Sequence, residues 1–119
     1  MIEIVLPKDA QARLRKRGRK YRNRSVTVDG IRFDSVGEAE RWFQLRIMER
    51  KGYIRDLVRQ PVYVLPGGIK YRADFSYVVQ PGIVETTEDY KGVETAAFKL
   101  KAKLFREKFG RDIVIVRAR

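Results

Sequence analysis

The spacing of hydrophobic positions changes several times along the chain, and each change marks an element. MIEIVLP reads as a short strand or arm that Pro7 ends. From Ser25, SVTVDGIRFDS sets two short alternating runs on either side of Asp29-Gly30, a dipeptide suited to a two-residue hairpin turn. A helical period takes over at Asp34 or Ser35. SVGEAERWFQLRIMERKG has Ser35 three residues before Glu38, apolar positions at Ala39, Trp42, Phe43 and Ile47, and Gly52 as a C-terminal stop. LVRQPVYVLPGGIKYRADFSYVV predicts a strand, a Pro-Gly-Gly turn and a longer strand. Gln80-Pro81-Gly82 turns the chain again, and IVETTEDYK returns as a third strand. TAAFKLKAKLFREKFG predicts a second helix that stops at Gly110 and buries Phe98, Leu104, Phe105 and Phe109. DIVIV, Asp112 to Val116, is a continuous apolar run of the kind buried in a parallel or mixed sheet. The order hairpin, helix, three strands, helix, strand predicts an α/β domain with helices packed on one mixed sheet.

Composition narrows the partners and the chemistry. At 119 residues the chain is expected to be one domain, residues 1–24 forming a basic N-terminal arm and residues 25–119 the core. RLRKRGRKYRNR, Arg13 to Arg24, carries eight cations and no acid, so it reads as a mobile arm or a solvated helix. Lysine and arginine total 27 against 15 acids, a net charge of +12. Nucleic acid is the commonest polyanion for such a surface, with an anionic membrane the weaker alternative. No apolar run approaches the ~18 residues that would span a bilayer, and the N-terminus lacks the apolar core of a signal peptide, so the expectation is a soluble, cytoplasmic protein. Cysteine and histidine are both absent. That removes disulfides, zinc fingers and every Cys or His nucleophile or base, leaving carboxylates, lysine and a hard metal for any catalysis.

The hairpin around Pro81-Gly82 gathers such groups. If those two residues are the centre of the turn, cross-strand partners have numbers summing to 163, so Asp74 faces Asp89. Alternation then puts Asp89 and Lys91 on one face and Glu88 on the other. Two like charges opposed in a sheet destabilise it, and a divalent cation with oxygen ligands would compensate. A bulge would shift the register by one residue and bring Glu88 in place of Asp89. A bare D-x-K tripeptide is common and most often only a solvated ion pair; the register match with Asp74 and the apolar flank Phe75, Tyr77, Val78 and Val79, which predicts a central strand, raise the weight of a site.

Asp74, then Asp89-Tyr90-Lys91 on the adjacent strand, preceded by a helix carrying a glutamate, resembles the PD-(D/E)XK nuclease superfamily, whose core order is helix, three strands, helix, strand. VDGIRFDSVGEAER, LVRQPVYVL, YRADFSYV and EDYKGVETAAFKLKAKLF together resemble small phage-encoded endonucleases related to archaeal Holliday junction resolvases, over roughly Tyr21 to Phe109. Ala73 stands where the superfamily name has proline. The resemblance implies a restriction-endonuclease-like fold and host-cell cytoplasm as the location. It also implies Mg²⁺ or Mn²⁺ held by Asp74, Asp89, the Tyr90 carbonyl and Glu38, with Lys91 orienting an attacking water. For Glu38 the local pattern alone favours a capping box with Ser35, and the resemblance reverses that preference; Glu40, about 200° around the helix, is the fallback. The resemblance also places Gln60 near the site, orienting Lys91 or a water; a plain strand-end residue is as good a reading.

Basic residues for DNA are expected in the arm, at Arg13, Arg15, Lys16, Arg17, Arg19, Lys20, Arg22 and Arg24 with Tyr21 to pack on a sugar or base. A second set lies on the second helix, where Lys99, Lys103 and Arg106 share one side. No base-reading module is evident, so selectivity for DNA structure is expected. The resemblance implies four-way-junction DNA as substrate and a C2 homodimer, with Met1 to Leu6 and the Asp29-Gly30 hairpin as candidates for exchange. The alternatives are another phage endonuclease or nickase with the same site, or a non-catalytic basic nucleic-acid-binding protein.

Overall fold

The computed structural model describes residues 2–6 and 25–118. The arm, with the eight cations and Tyr21 proposed for DNA, lies outside the described residues. What is described is a mixed α/β fold with two helices.

β1 (Ile2–Leu6), β2 (Val26–Val28) and β3 (Ile31–Phe33) come first, β2 and β3 pairing around Asp29-Gly30, both at positive φ as that turn requires. α1 (Val36–Arg50) follows, capped by the Ser35 hydroxyl, which accepts from the Glu38 N–H at 3.1 Å. Its apolar stripe is Ala39 and Leu45, both buried, with Trp42 and Met48 half-buried beside them. Ile47, one of the apolar positions that mark the helix, is 49% exposed because the apolar face follows every third residue rather than the i, i+4 step from Phe43.

The pattern from Ile54 to Val79 yields four strands where a strand and a longer strand were expected. β4 (Ile54–Arg59) and β5 (Val62–Leu65) are separated at Gln60-Pro61; a 3₁₀ turn (Pro66–Gly68) leads to β6 (Ile69–Arg72), and β7 (Phe75–Val79) starts after a matching break at Ala73-Asp74. Pro61 has no N–H for a ladder and Gln60 has a φ of 55°, so the hairpin bends there. Its outer half, β5 with β6, forms a two-stranded sheet of its own.

β8 (Glu85–Tyr90), α2 (Ala96–Phe109) and β9 (Val114–Ala118) complete the chain. α2 has Thr95 as N-cap and ends on Gly110 at a φ of 69°, a conformation that favours glycine. Phe98 and Phe105 are buried and Leu104 half-buried, but Phe109, expected in the same stripe, is 37% exposed in the last turn. Asp112, read as strand, instead pairs with Arg106 at 2.7 Å, and β9 begins two residues later.

The five-stranded sheet has the order β1-β9-β8-β7-β4. β4, β7 and β8 are antiparallel neighbours, while β9 is parallel to both β8 and β1. Each face carries its own core: α1 covers Leu45, Ile54, Phe75 and Tyr77, and α2 with the β5–β6 hairpin covers Tyr71, Phe98, Phe105, Ile113 and Ile115. Among the described residues no helix is long and apolar enough to cross a membrane.

Candidate functional site

The β7–β8 register pairs Phe75 with Glu88 and Ser76 with Thr87, so the sum of 163 holds and Asp74 lies beside Asp89. The turn itself is wider than a two-residue loop. Pairing ends at Val78 and Glu85, and the chain crosses through the cis Gln80–Pro81 bond with Gly82 N–H donating to the Val79 carbonyl at 2.9 Å. β7 is flanked by β8 and β4, the central position expected of it.

Because β7 stops short of Asp74, the Tyr90 N–H has no ladder partner and the Asp74 carboxylate replaces one, Oδ2 accepting at 2.7 Å. Asp89 reciprocates: its Oδ1 accepts the Asp74 N–H at 3.1 Å. Asp89 Oδ2 accepts the Tyr71 hydroxyl and lies 3.8 Å from Lys91 Nζ, which stands over the Phe98 ring at 4.5 Å. Asp74, Asp89 and Lys91 therefore meet on the α2 face.

Glu88 points the other way. It is fully buried, held by Arg41 Nε at 2.6 Å and Nη2 at 3.0 Å, with the Tyr77 hydroxyl donating at 2.6 Å. Burial works against the Arg41 charge, but Glu88 outweighs it and holds the guanidinium above its ordinary value; burial and the Glu88 charge raise Tyr77 as well. Glu88 thus belongs to a structural ion pair, and Asp89 to the acidic face.

Glu38 reaches the same end of the sheet from the first turn of α1. It is 3% exposed, and its Oε1 is buried without a hydrogen-bond partner. The Ser35 half of the capping box forms; Glu38 Oε1 takes no part in it. Glycine at position 37 explains how the helix comes so close: a Cβ there would fall 2.0–2.4 Å from the Tyr90 ring. Glu40, the fallback, is also buried.

Three carboxyl groups in little water push one another toward the neutral form. Burial, then the charges of Asp89 and Glu38, move Asp74 up to about 9. Burial also raises Asp89, against the pull of Tyr71 and Lys91, and raises Glu38, helped by Asp34 and Asp89. The bond that joins the two aspartates runs from the Asp74 N–H to Asp89 Oδ1, which leaves the repulsion between their carboxyl groups unrelieved. Among the described residues no three acidic side chains close around one point as a ready-made metal cage. The donor set nevertheless fits a hard divalent cation: oxygen ligands only, repulsion among buried carboxyl groups that a cation would offset, and an unpartnered carboxylate oxygen on Glu38. Tyr90, whose carbonyl was expected to be a ligand, directs its N–H at Asp74, and in an extended strand the carbonyl faces the same side.

Gln60 is half-buried and its N–H donates to the Asp74 carbonyl at 2.8 Å, fixing the backbone beside the site. Lys99 and Lys103 are exposed on the outer side of α2, and Arg106 is engaged by Asp112. Between β6 and the start of α2 lies an open cleft of about 540 Å³ lined by Lys70, Tyr71, Arg72, Lys91, Phe98 and Lys101, among others. Tyr71, Gly37 and the cleft cations Lys70, Arg72 and Lys101 were missed in the sequence. Glycine in a first helical turn was the one available signal, since it is a poor helix former retained where something packs close.

The described chain is thus an α/β domain with a buried acidic cluster and an adjoining basic cleft. It belongs to the family described as "Protein of unknown function (DUF1064)", whose model matches residues 18–118. No curated protein and no solved structure matches it.

Proposed function

We propose that the chain is a metal-dependent, structure-selective DNA endonuclease, of the kind that resolves four-way junctions. The observation that carries this reading is the Asp74–Asp89 pair with Lys91 on the same face and the unpartnered buried oxygen of Glu38 beside it. A group of mutually repelling buried acids costs stability, and such clusters are retained mainly at functional sites. The element order supports the same reading: α1, β4, β7, β8, α2 and β9 follow the helix, three strands, helix, strand order of the PD-(D/E)XK core, with β5–β6 as an insertion.

Asp74, Asp89 and Glu38, with the Tyr90 carbonyl, would hold Mg²⁺ or Mn²⁺. When bound, the ion supplies Lewis-acid polarisation of the scissile phosphate and a water of lowered pKa. Tyr71 and the Asp74 N–H fix the rotamer of Asp89. Tyr90 N–H fixes Asp74. Lys91, steadied by Phe98, orients the attacking water and offsets charge developing on the phosphate. Two symmetric cuts in a junction require two sites, which a homodimer provides.

The test is cleavage of labelled four-way junction, Y-fork, nicked and linear duplexes by wild type and Asp89→Asn, in Mg²⁺ and in EDTA, beside a binding assay. Paired cuts by wild type in Mg²⁺ alone, with a variant that binds and does not cut, support the reading. Binding without cleavage of any substrate in Mg²⁺ would overturn it and leave a basic nucleic-acid-binding protein.

A further inference from the structure

We infer that the cleft between β6 and α2 is a binding site for the sugar-phosphate backbone of one unpaired nucleic-acid strand. Four cations line it, Lys70 and Arg72 from β6, Lys91, and Lys101 from α2. Among the described lining residues none is acidic. The N-terminal turn of α2 adds to the field: Thr95 and Ala97 also border the cleft, and no acid occupies that first turn. Helix N-terminal amides and their dipole favour an anion there.

The chemistry selects phosphodiesters over other anions. Lys70 and Arg72 are exposed side chains next to each other on one rim, and Lys101 faces them from the other, so the positive charge follows a line rather than a point. The aromatic floor, Tyr71 and Phe98, is 3% and 5% exposed, which leaves no ring face on which a base could stack. Contacts are therefore with backbone and carry little sequence preference. A volume of about 540 Å³ is that of a small-molecule site, room for a nucleotide or two of a single strand and not for a paired one. Lys91 and Tyr71 line the cleft and both touch Asp89, so the cleft opens directly on the acidic face. That the bound strand leads away from a scissile phosphate rests on the nuclease reading; the binding does not. The helix cation that matters is Lys101, about 200° around α2 from Lys99 and Lys103.

The experiment is fluorescence anisotropy of a labelled single-stranded oligonucleotide with the full chain in EDTA, repeated over a salt series. Lys70→Gln/Lys101→Gln is compared with Arg50→Gln/Lys51→Gln, which removes the same charge from the exposed end of α1. The cleft pair is expected to weaken binding at least ~10-fold and to flatten the log–log salt slope by about 1.4, two phosphates at ~0.7 each. The α1 pair should stay within about threefold, and thermal melts of both variants check their folding. Equal losses in the two variants, or a blunt duplex that competes as well as the single strand, would overturn the inference. Cleavage is measured separately in Mg²⁺: a selective loss of binding in a protein that cuts nothing keeps the cleft and removes the nuclease.

Discussion

Arg41→Met tests whether Glu88 is a structural residue. The substitution keeps the length and the apolar stem of the side chain but removes both guanidinium bonds, at 2.6 and 3.0 Å, to a carboxylate with no solvent exposure. Only the Tyr77 hydroxyl remains as a partner among the bonds described. Breaking one side of a buried ion pair costs ~3–5 kcal/mol, because the remaining charge stays in the interior. A domain of this size has ~5–15 kcal/mol in total, so the variant should unfold at a markedly lower urea concentration with an unchanged m-value. Arg41→Met/Glu88→Met removes both charges and should recover most of the loss, short of ~1–3 kcal/mol for the Tyr77 hydroxyl left without its acceptor. A loss below ~1 kcal/mol in the single variant, or a double variant no better than the single, would refute the assignment.

Three further outcomes follow from the same geometry. In EDTA, Asp74, raised to about 9, keeps a proton in the folded state that the unfolded chain releases near pH 4, so the stability tied to that proton is present at low pH and lost as pH rises toward 9. Even a fraction of that shift makes metal-free wild type ~2 kcal/mol less stable at pH 8.5 than at pH 5; Asp74→Asn should flatten the slope and Mg²⁺ reverse it, and a wild type that gains stability over this range would refute the coupling. Gly37→Ala should cost about 1 kcal/mol by urea denaturation, since displacing the Tyr90 ring outweighs the gain in helix propensity; a stabilised variant would mean that the ring yields freely. Glu88→Gln, assayed where it is still folded, should keep the metal dependence of any cleavage that Asp89→Asn abolishes, and the reverse pattern would return Glu88 to the site.

Short-range chemistry in the sequence carried the fold far. Asp29-Gly30, Ser35 with Glu38, Thr95 and Gly110 each marked a boundary, and turn arithmetic at Pro81-Gly82 put Asp74 against Asp89 even though the turn is wider than two residues. What could not be read was tertiary. Arg41 looks like any helix-surface cation until Glu88 is seen to lie beneath it, and Phe109 looks like a core residue until α2 runs past the edge of its cluster. Lys101 is indistinguishable in sequence from Lys99 and Lys103, because which side of a lysine-rich helix meets a cleft depends on a hairpin thirty residues upstream.

The break at Gln60-Pro61 and Ala73-Asp74 links the fold to the site. Had the ladder run on from β7 into β6, the Tyr90 N–H would have found a backbone acceptor and the Asp74 side chain would have been one more strand residue. With the hairpin bent, Gln60 N–H holds the Asp74 carbonyl, Ala73 N–H holds the Pro61 carbonyl, and the Asp74 carboxylate is turned onto Asp89 and Tyr90. The same bend swings β6 over the α2 face, so Tyr71 reaches Asp89 while Lys70 and Arg72 become one rim of the cleft. One proline and one positive-φ glutamine thus account for both the acidic face and the basic cleft beside it.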